Sequence, residues 1–169
     1  MSKKMADTIY SLASRIKLNN GLTMPRIHLG VYLMSGRESS NAVTHALEAG
    51  YRAIDSAQMY HNEKEVGTSI LRYLEKHPEI KREDIHFTSK LASNADYETA
   101  RASIRRSVKT CGLGYIDLFL LHSPYGGKQK RLESWRAVED AVSEGEVRIG
   151  GVSNFGVKHV SLVVLVGRR

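Results

Sequence analysis

Five short strand-like runs, each followed by a stretch with helical spacing, recur at about 30 residues along most of this chain. That alternation limits the fold more than any other feature. The runs are read as strands over residues 27–33, 52–55, 85–90, 116–121 and 147–152. The fourth is apolar except for Asp117, the pattern of a parallel-sheet strand covered on both faces. Between the runs the spacing predicts helices. Ser39-Ser40 caps one that buries Val43, Ala46 and Leu47 and ends at Gly50. Asn62 caps one with Val66, Ile70, Leu71 and Leu74 on a face, stopped by Pro78. Asp96 caps a third, with Tyr97, Ala100, Ile104, Val108 and Cys111 in line and Gly112 as its stop. Leu132, Trp135, Val138 and Val142 line a fourth, closed by Gly145, and a fifth, or something that replaces it, starts near Val157. Ahead of the repeats, Asn20-Gly21 between two short runs predicts a hairpin, because both residues tolerate positive φ.

Two architectures repeat strand and helix in this way: a doubly wound open sheet and a (β/α)₈ barrel. The doubly wound fold places a glycine-rich phosphate loop after its first strand. Here Gly30 is followed by Val31-Tyr32-Leu33-Met34-Ser35-Gly36, and neither G-x-G-x-x-G nor G-x-x-x-x-G-K-[ST] occurs. The expected fold is therefore α/β, a partial (β/α)₈ TIM barrel of five parallel βα units behind an N-terminal β-hairpin. Residues 1–14 are expected as a tail and 15–169 as one incomplete barrel domain, atypical from about residue 160.

Composition narrows the function classes. Of 169 residues, 41% are hydrophobic and 25% charged, which excludes a disordered or collagen-like chain. Lys and Arg number 25 against 18 acidic residues, a net +7. The basic residues are scattered, so no nucleic-acid groove is expected. The longest apolar run is about six residues, against roughly 20 for a membrane span. Met1-Ser2-Lys3-Lys4 has no apolar stretch behind it and does not read as a signal peptide. One cysteine, Cys111, excludes an internal disulfide and a Cys-rich metal site. A cytoplasmic protein without a metal is expected.

The carboxyl ends of the strands carry the chemistry. One strand ends at Asp55, the next at Lys90, the next at His122, and the last at Ser153-Asn154. In a barrel these ends converge on one face. Tyr60 follows Asp55 in the next loop and can fold over the same mouth. Taken singly, each is more often a turn residue, a surface lysine or a core-edge histidine; the shared placement makes the set. A phenol is a weak acid at neutral pH, and a nearby ammonium favours its ionised form. A carboxylate beside that ammonium fixes it, and a histidine can orient a carbonyl oxygen. The set suits protonation of an oxygen on which charge builds. That is half of a carbonyl reduction; the hydride requires a nicotinamide cofactor. Ser153 and Asn154 have the donors and acceptors to hold a carboxamide.

Three segments carry a resemblance. Gly50-Tyr51-Arg52-Ala53-Ile54-Asp55-Ser56-Ala57, with Glu63, Val66 and Gly67, matches the first signature of the aldo-keto reductases. Leu120-Leu121-His122-Ser123-Pro124 and Gly151-Val152-Ser153-Asn154-Phe155 resemble later segments of the same family. The resemblance runs from about Ile16 to about His159. It implies reversible NAD(P)H-dependent reduction of aldehydes and ketones, with NADPH the usual donor and a small carbonyl compound as partner. It further implies Tyr60 as proton donor, Lys90 as the group that makes it more acidic, and Asp55 as the partner of Lys90. His122 would orient the carbonyl, Ser153 and Asn154 would bind the nicotinamide amide, and Asp55 would also take part in cofactor binding. Tyr32 stands where many members have a tryptophan, Ser123 where many have another, and Gly150 where a larger aliphatic is usual.

The family includes channel-associated subunits, so a regulatory subunit of the same fold is the alternative, and an inactive truncated product a further one. A barrel is typically about 250 residues. Ser161-Leu162-Val163-Val164-Leu165-Val166-Gly167 lacks helical periodicity and is rich in β-branched residues. The expectation is an open sheet without the later phosphate-binding loops, poorly soluble and weak in NADPH binding on its own.

Overall fold

A computed structural model describes residues 10–166, with side chains through residue 161. The tail expected over 1–14 lies largely outside the described residues, as do residues 167–169.

Strands β1 (Arg15–Lys17) and β2 (Thr23–Pro25) form the antiparallel hairpin, with Ile16 opposite Met24. Next come β3 (Leu29–Gly30), α1 (Gly36–Glu48), β4 (Ala53–Asp55) and α2 (Glu63–Lys76). They are followed by β5 (His86–Leu91), α3 (Tyr97–Cys111), β6 (Ile116–Leu121), α4 (Gly127–Ser143), β7 (Val147–Val152) and α5 (Val157–Val166). Strands β3 to β7 make one parallel sheet in strict chain order. A doubly wound sheet reverses its order at a switch point; an unreversed one is the wall of a barrel. The hairpin lies at the opposite end from the strand-end polar groups. Its Arg15, Thr23 and Pro25 share a cavity with Arg52 and Glu83, which precede β4 and β5.

The helices cover one face of the sheet with the core that their spacing foretells. Val43 and Leu47 from α1, Val66 and Ile70 from α2, Ala100 and Ile104 from α3, and Ala137 and Val138 from α4 are fully buried. They meet Ile54, Phe87, Phe119 and Leu121 from the strands. Asp96 caps α3 by accepting from the Thr99 N–H at 2.9 Å, and Gly112 ends it with φ 70°. Two glycines are set by contact. A Cβ at Gly67 would lie 1.8 Å from the Cys111 carbonyl oxygen, so α2 touches the end of α3 only through a bare Cα. A Cβ at Gly150 would lie 2.7 Å from Val138 Cγ1 and 3.6 Å from the Trp135 ring. The Val138 methyl group of α4 fills the space a larger residue would take, with the indole in van der Waals contact beside it.

Several expectations are corrected. The strand expected over 27–33 is only two residues long, because the chain turns at Val31: its N–H still reaches Asp55 O on the neighbouring strand, but its carbonyl already accepts from Met34 N–H. Helix α1 starts a turn before Ser39-Ser40, at Gly36, and the buried Ser39 hydroxyl donates back to Gly36 O. Asn62 stands at the N-cap of α2, yet its amide makes no cap bond and points elsewhere. Val142 is exposed, since the buried face of α4 runs through Ser134, Ala137, Val138 and Ala141. Strand β6 is not covered on both faces. Phe119 and Leu121 are buried under the helices, while Leu118 and Leu120 are half-exposed on the concave side. The backbone from Val157 to Val166 is helical, so β-branched composition does not decide its conformation.

Candidate active site

The site is assembled by strand ends. In the sheet register Asp55 pairs with Thr88, and Lys90 with Leu120, so Asp55, Lys90 and His122 emerge at one edge of three adjacent strands. Tyr60 comes from a short 3-10 turn, Gln58–Tyr60, closed by His61 in a left-handed conformation at φ 54°.

Lys90 is buried, and its ammonium has three hydrogens to place. One goes to Asp55 Oδ1, one to the Ser56 carbonyl at 2.9 Å, and one to the Tyr60 hydroxyl at 3.4 Å. An ammonium only donates, so the Tyr60 oxygen is the acceptor. Its own O–H hydrogen is left to point away from Lys90. The Tyr60 ring stands between Tyr32 at 5.1 Å and His122 at 5.8 Å, centroid to centroid. Burial, then the Lys90 charge, hold the His122 imidazole below its ordinary range, with Asp55 opposing. His122 Nδ1 is buried without a partner among the described residues, which leaves Nε2 as the nitrogen for the cavity. A cavity of about 770 Å³ opens here, lined by Tyr60, His122, Tyr32 and Asn154 among others.

Ser153 and Asn154 directly follow β7. Asn154 adopts φ 63° and donates from Nδ2 to His122 O at 2.9 Å and to Ser153 Oγ at 3.0 Å. Asn154 Oδ1 and the Ser153 hydroxyl hydrogen have no bond among the described residues. One acceptor beside one donor is the complement of a carboxamide, so the pair fits a nicotinamide amide.

The structure thus brings Asp55, Tyr60, Lys90 and His122 together, with Tyr32, Ser153 and Asn154 around the same mouth. Sequence reasoning missed the groups that hold the mouth in shape. Gln58 accepts from Ala92 N–H at 2.8 Å and donates to Ser107 Oγ at 2.8 Å, tying the Tyr60 turn to the end of β5 and to α3. Asn62 donates to Val31 O and Met34 O at 3.0 and 2.7 Å, and accepts from Ser56 Oγ at 2.6 Å. Asn94 donates to Ser123 O and Tyr125 O, fixing the loop after β6. Asn62 was visible only as a cap; Gln58 and Asn94 carry no local pattern.

The model of the aldo/keto reductase family matches residues 27–166. The chain belongs to the aldo/keto reductase family. An uncharacterised oxidoreductase of Schizosaccharomyces pombe is 54% identical over 149 residues, which cover 88% of this chain and 53% of that protein. A glyoxal reductase of Bacillus subtilis is 40% identical over 152 residues, 89% of this chain and 52% of that one. Among solved structures, a Bombyx mori aldo-keto reductase in complex with NADP superposes with a TM-score of 0.84 at 31% identity, covering 95% of this chain and 56% of that chain. A Brucella melitensis aldo/keto reductase gives 0.84 at 37% identity, covering 91% and 59%. The chain spans about half the length of the curated relatives it matches.

Proposed function

We propose that this aldo/keto reductase chain carries the acid–base machinery for reversible NAD(P)H-dependent reduction of aldehydes and ketones to alcohols. The observation that carries the reading is the three-way hydrogen bonding of the Lys90 ammonium. Because Tyr60 accepts from Lys90, its hydrogen is directed at whatever oxygen enters the cavity. His122, uncharged, donates from Nε2 and sets that oxygen beside the phenol. A nicotinamide held by Ser153 and Asn154 supplies the hydride when bound. As charge builds on the substrate oxygen, Tyr60 gives up its proton, and the phenolate left behind faces the Lys90 charge. Asp55 keeps the ammonium in place through the cycle. In the reverse direction the phenolate takes the alcohol proton back. Tyr32, against the Tyr60 ring, forms a substrate-side wall. NADPH is the donor we favour over NADH, on the family likeness and the NADP-bound relative. We also place residues 15–169 in one domain and the protein in the cytoplasm, where the buried thiol of Cys111 stays reduced.

The test replaces the matching segment of the S. pombe oxidoreductase with this chain's residues, so that the set is read in a full-length family member. Tyr60→Phe keeps the ring and removes the transferable proton. It should lower carbonyl reduction at least 100-fold. NADPH binding should stay within a few-fold of the parent. Reduction at near-parental rates would sink the assignment.

A further inference from the structure

The span that carries Tyr60 is closed on itself. It leaves β4 at Ser56 and enters α2 at Asn62. The residues at its two ends are fully buried and bonded side chain to side chain, at 2.6 Å. The Asn62 amide nitrogen faces Val31 O and Met34 O, which only accept. Its oxygen therefore faces Ser56, and the serine hydroxyl donates. A buried amide left unbonded is costly, so these bonds fix where Asn62 sits.

Ser56 is engaged through its backbone as well. Its N–H donates to Thr88 O on β5 at 2.9 Å, and its carbonyl accepts from Lys90 Nζ at 2.9 Å. One residue thus takes a Lys90 hydrogen with its carbonyl and closes the Tyr60 span with its hydroxyl. The backbone around Asn62 needs such bonds. His61, just before it, is left-handed at φ 54°, and Leu33, between the two carbonyls it holds, at φ 63°. Those conformations cost a residue with a side chain free energy and persist where the surroundings impose them. Of the Lys90 contacts, the one to Tyr60 has the least to spare: at 3.4 Å it lies at the outer limit of a hydrogen bond. A displacement of about 0.5 Å takes the phenol out of reach.

We propose that Asn62, through its buried bond with Ser56, holds the Tyr60 hydroxyl on the Lys90 ammonium and is a positioning residue for the reduction. Fully buried, it acts through Tyr60 and not on a substrate. Its role in the reaction rests on the reading of Tyr60 as proton donor.

The test has two arms. In the full-length graft described above, Asn62→Ala and Ser56→Ala should each lower kcat at least about fivefold and leave KM for a generic aldehyde within about threefold. In the Tyr60→Phe background either substitution should cost less than about twofold, because the group it positions is gone. Losses that multiply across the two backgrounds, or a risen KM with kcat unchanged, overturn the proposal. Where Asn62→Ala fails to fold, Ser56→Ala decides, since it removes a single hydroxyl. The second arm uses the 169-residue chain. Lys90 Nζ stands 4.9 Å from the Tyr60 ring centroid, so nuclear Overhauser transfer from the ring to the Lys90 ε-methylene reads the contact directly. The transfer should weaken by half or more in both variants; parental strength overturns the proposal. If the transfer is lost in the variants while Tyr60→Phe leaves the graft active, the proton-donor reading falls and the hold of Asn62 on Tyr60 stands.

Discussion

His86 opens β5 on the strand side that Thr88 and Lys90 share, two and four residues on, and it is buried with Nε2 unpartnered among the described residues. Burial pushes its imidazole down to about 4; Asp117 opposes, while His28, Arg15 and Arg148 add to the shift. The ordinary value, 6.5, applies to the unfolded chain. Below that pH the unfolded state binds a proton that the folded state refuses, so stability falls with acid. The contribution is intact above pH 6.5 and lost progressively toward pH 4. It amounts to roughly 3 kcal/mol in full. Urea denaturation at neutral pH and near pH 4.5 should show this loss in the parent and a flatter profile in His86→Leu. Identical slopes in the two proteins would rule it out. At this scale the catalytic candidates were legible because a strand end is a position that sequence reveals. Asp55 and His122 each close a short apolar run, and Lys90 lies one residue before the end of β5. Leu33 had no such mark. Its significance comes from a backbone conformation that the Asn62 amide imposes from another loop.

Between elements, the contact of α2 with the end of α3 is the least forgiving. The obstacle at Gly67 is main-chain oxygen, which cannot swing aside as a side-chain tip can. Gly67→Ala gains helix propensity and loses far more to the displaced helix. The expected cost is about 3 kcal/mol or more. Ser40→Ala, on α1, should stay within about 0.5 kcal/mol of the parent. Thermal and chemical unfolding of the two variants side by side checks both. The contrast shows how far element boundaries could be read. Asp96 before α3 behaves as the sequence suggests, since Thr99 N–H finds its carboxylate. Ser39-Ser40 looks just as convincing, but the loop after β3 is tied down early and α1 begins at Gly36. Helix identity follows from the apolar period, whereas its first turn follows from what the preceding loop is bonded to. Coverage of β6 misleads for a related reason: five apolar positions of six say that a strand is buried, not how much protein stands on each side.

The whole sheet has an uncovered side and a free margin. Leu118 and Ile149 are cross-strand partners, half-exposed on the concave face, and β7 has no further neighbour among the described residues. Such margins recruit other strands. Light scattering of the 169-residue chain should therefore show association that grows with concentration, and Ile149→Lys should reduce it. A monodisperse parent at high concentration would contradict this. The order of the strands has a temporal consequence as well. Each of β4 to β7 pairs with the strand immediately before it in the chain. A ribosome delivers the polypeptide in that same order, amino end first. Each of these strands meets a partner already made, and among the described residues none of these pairings waits for a distant segment. Assembly can advance like masonry, one course laid on the last, and the candidate site groups come into register in sequence: Asp55 and Tyr60, then Lys90, then His122.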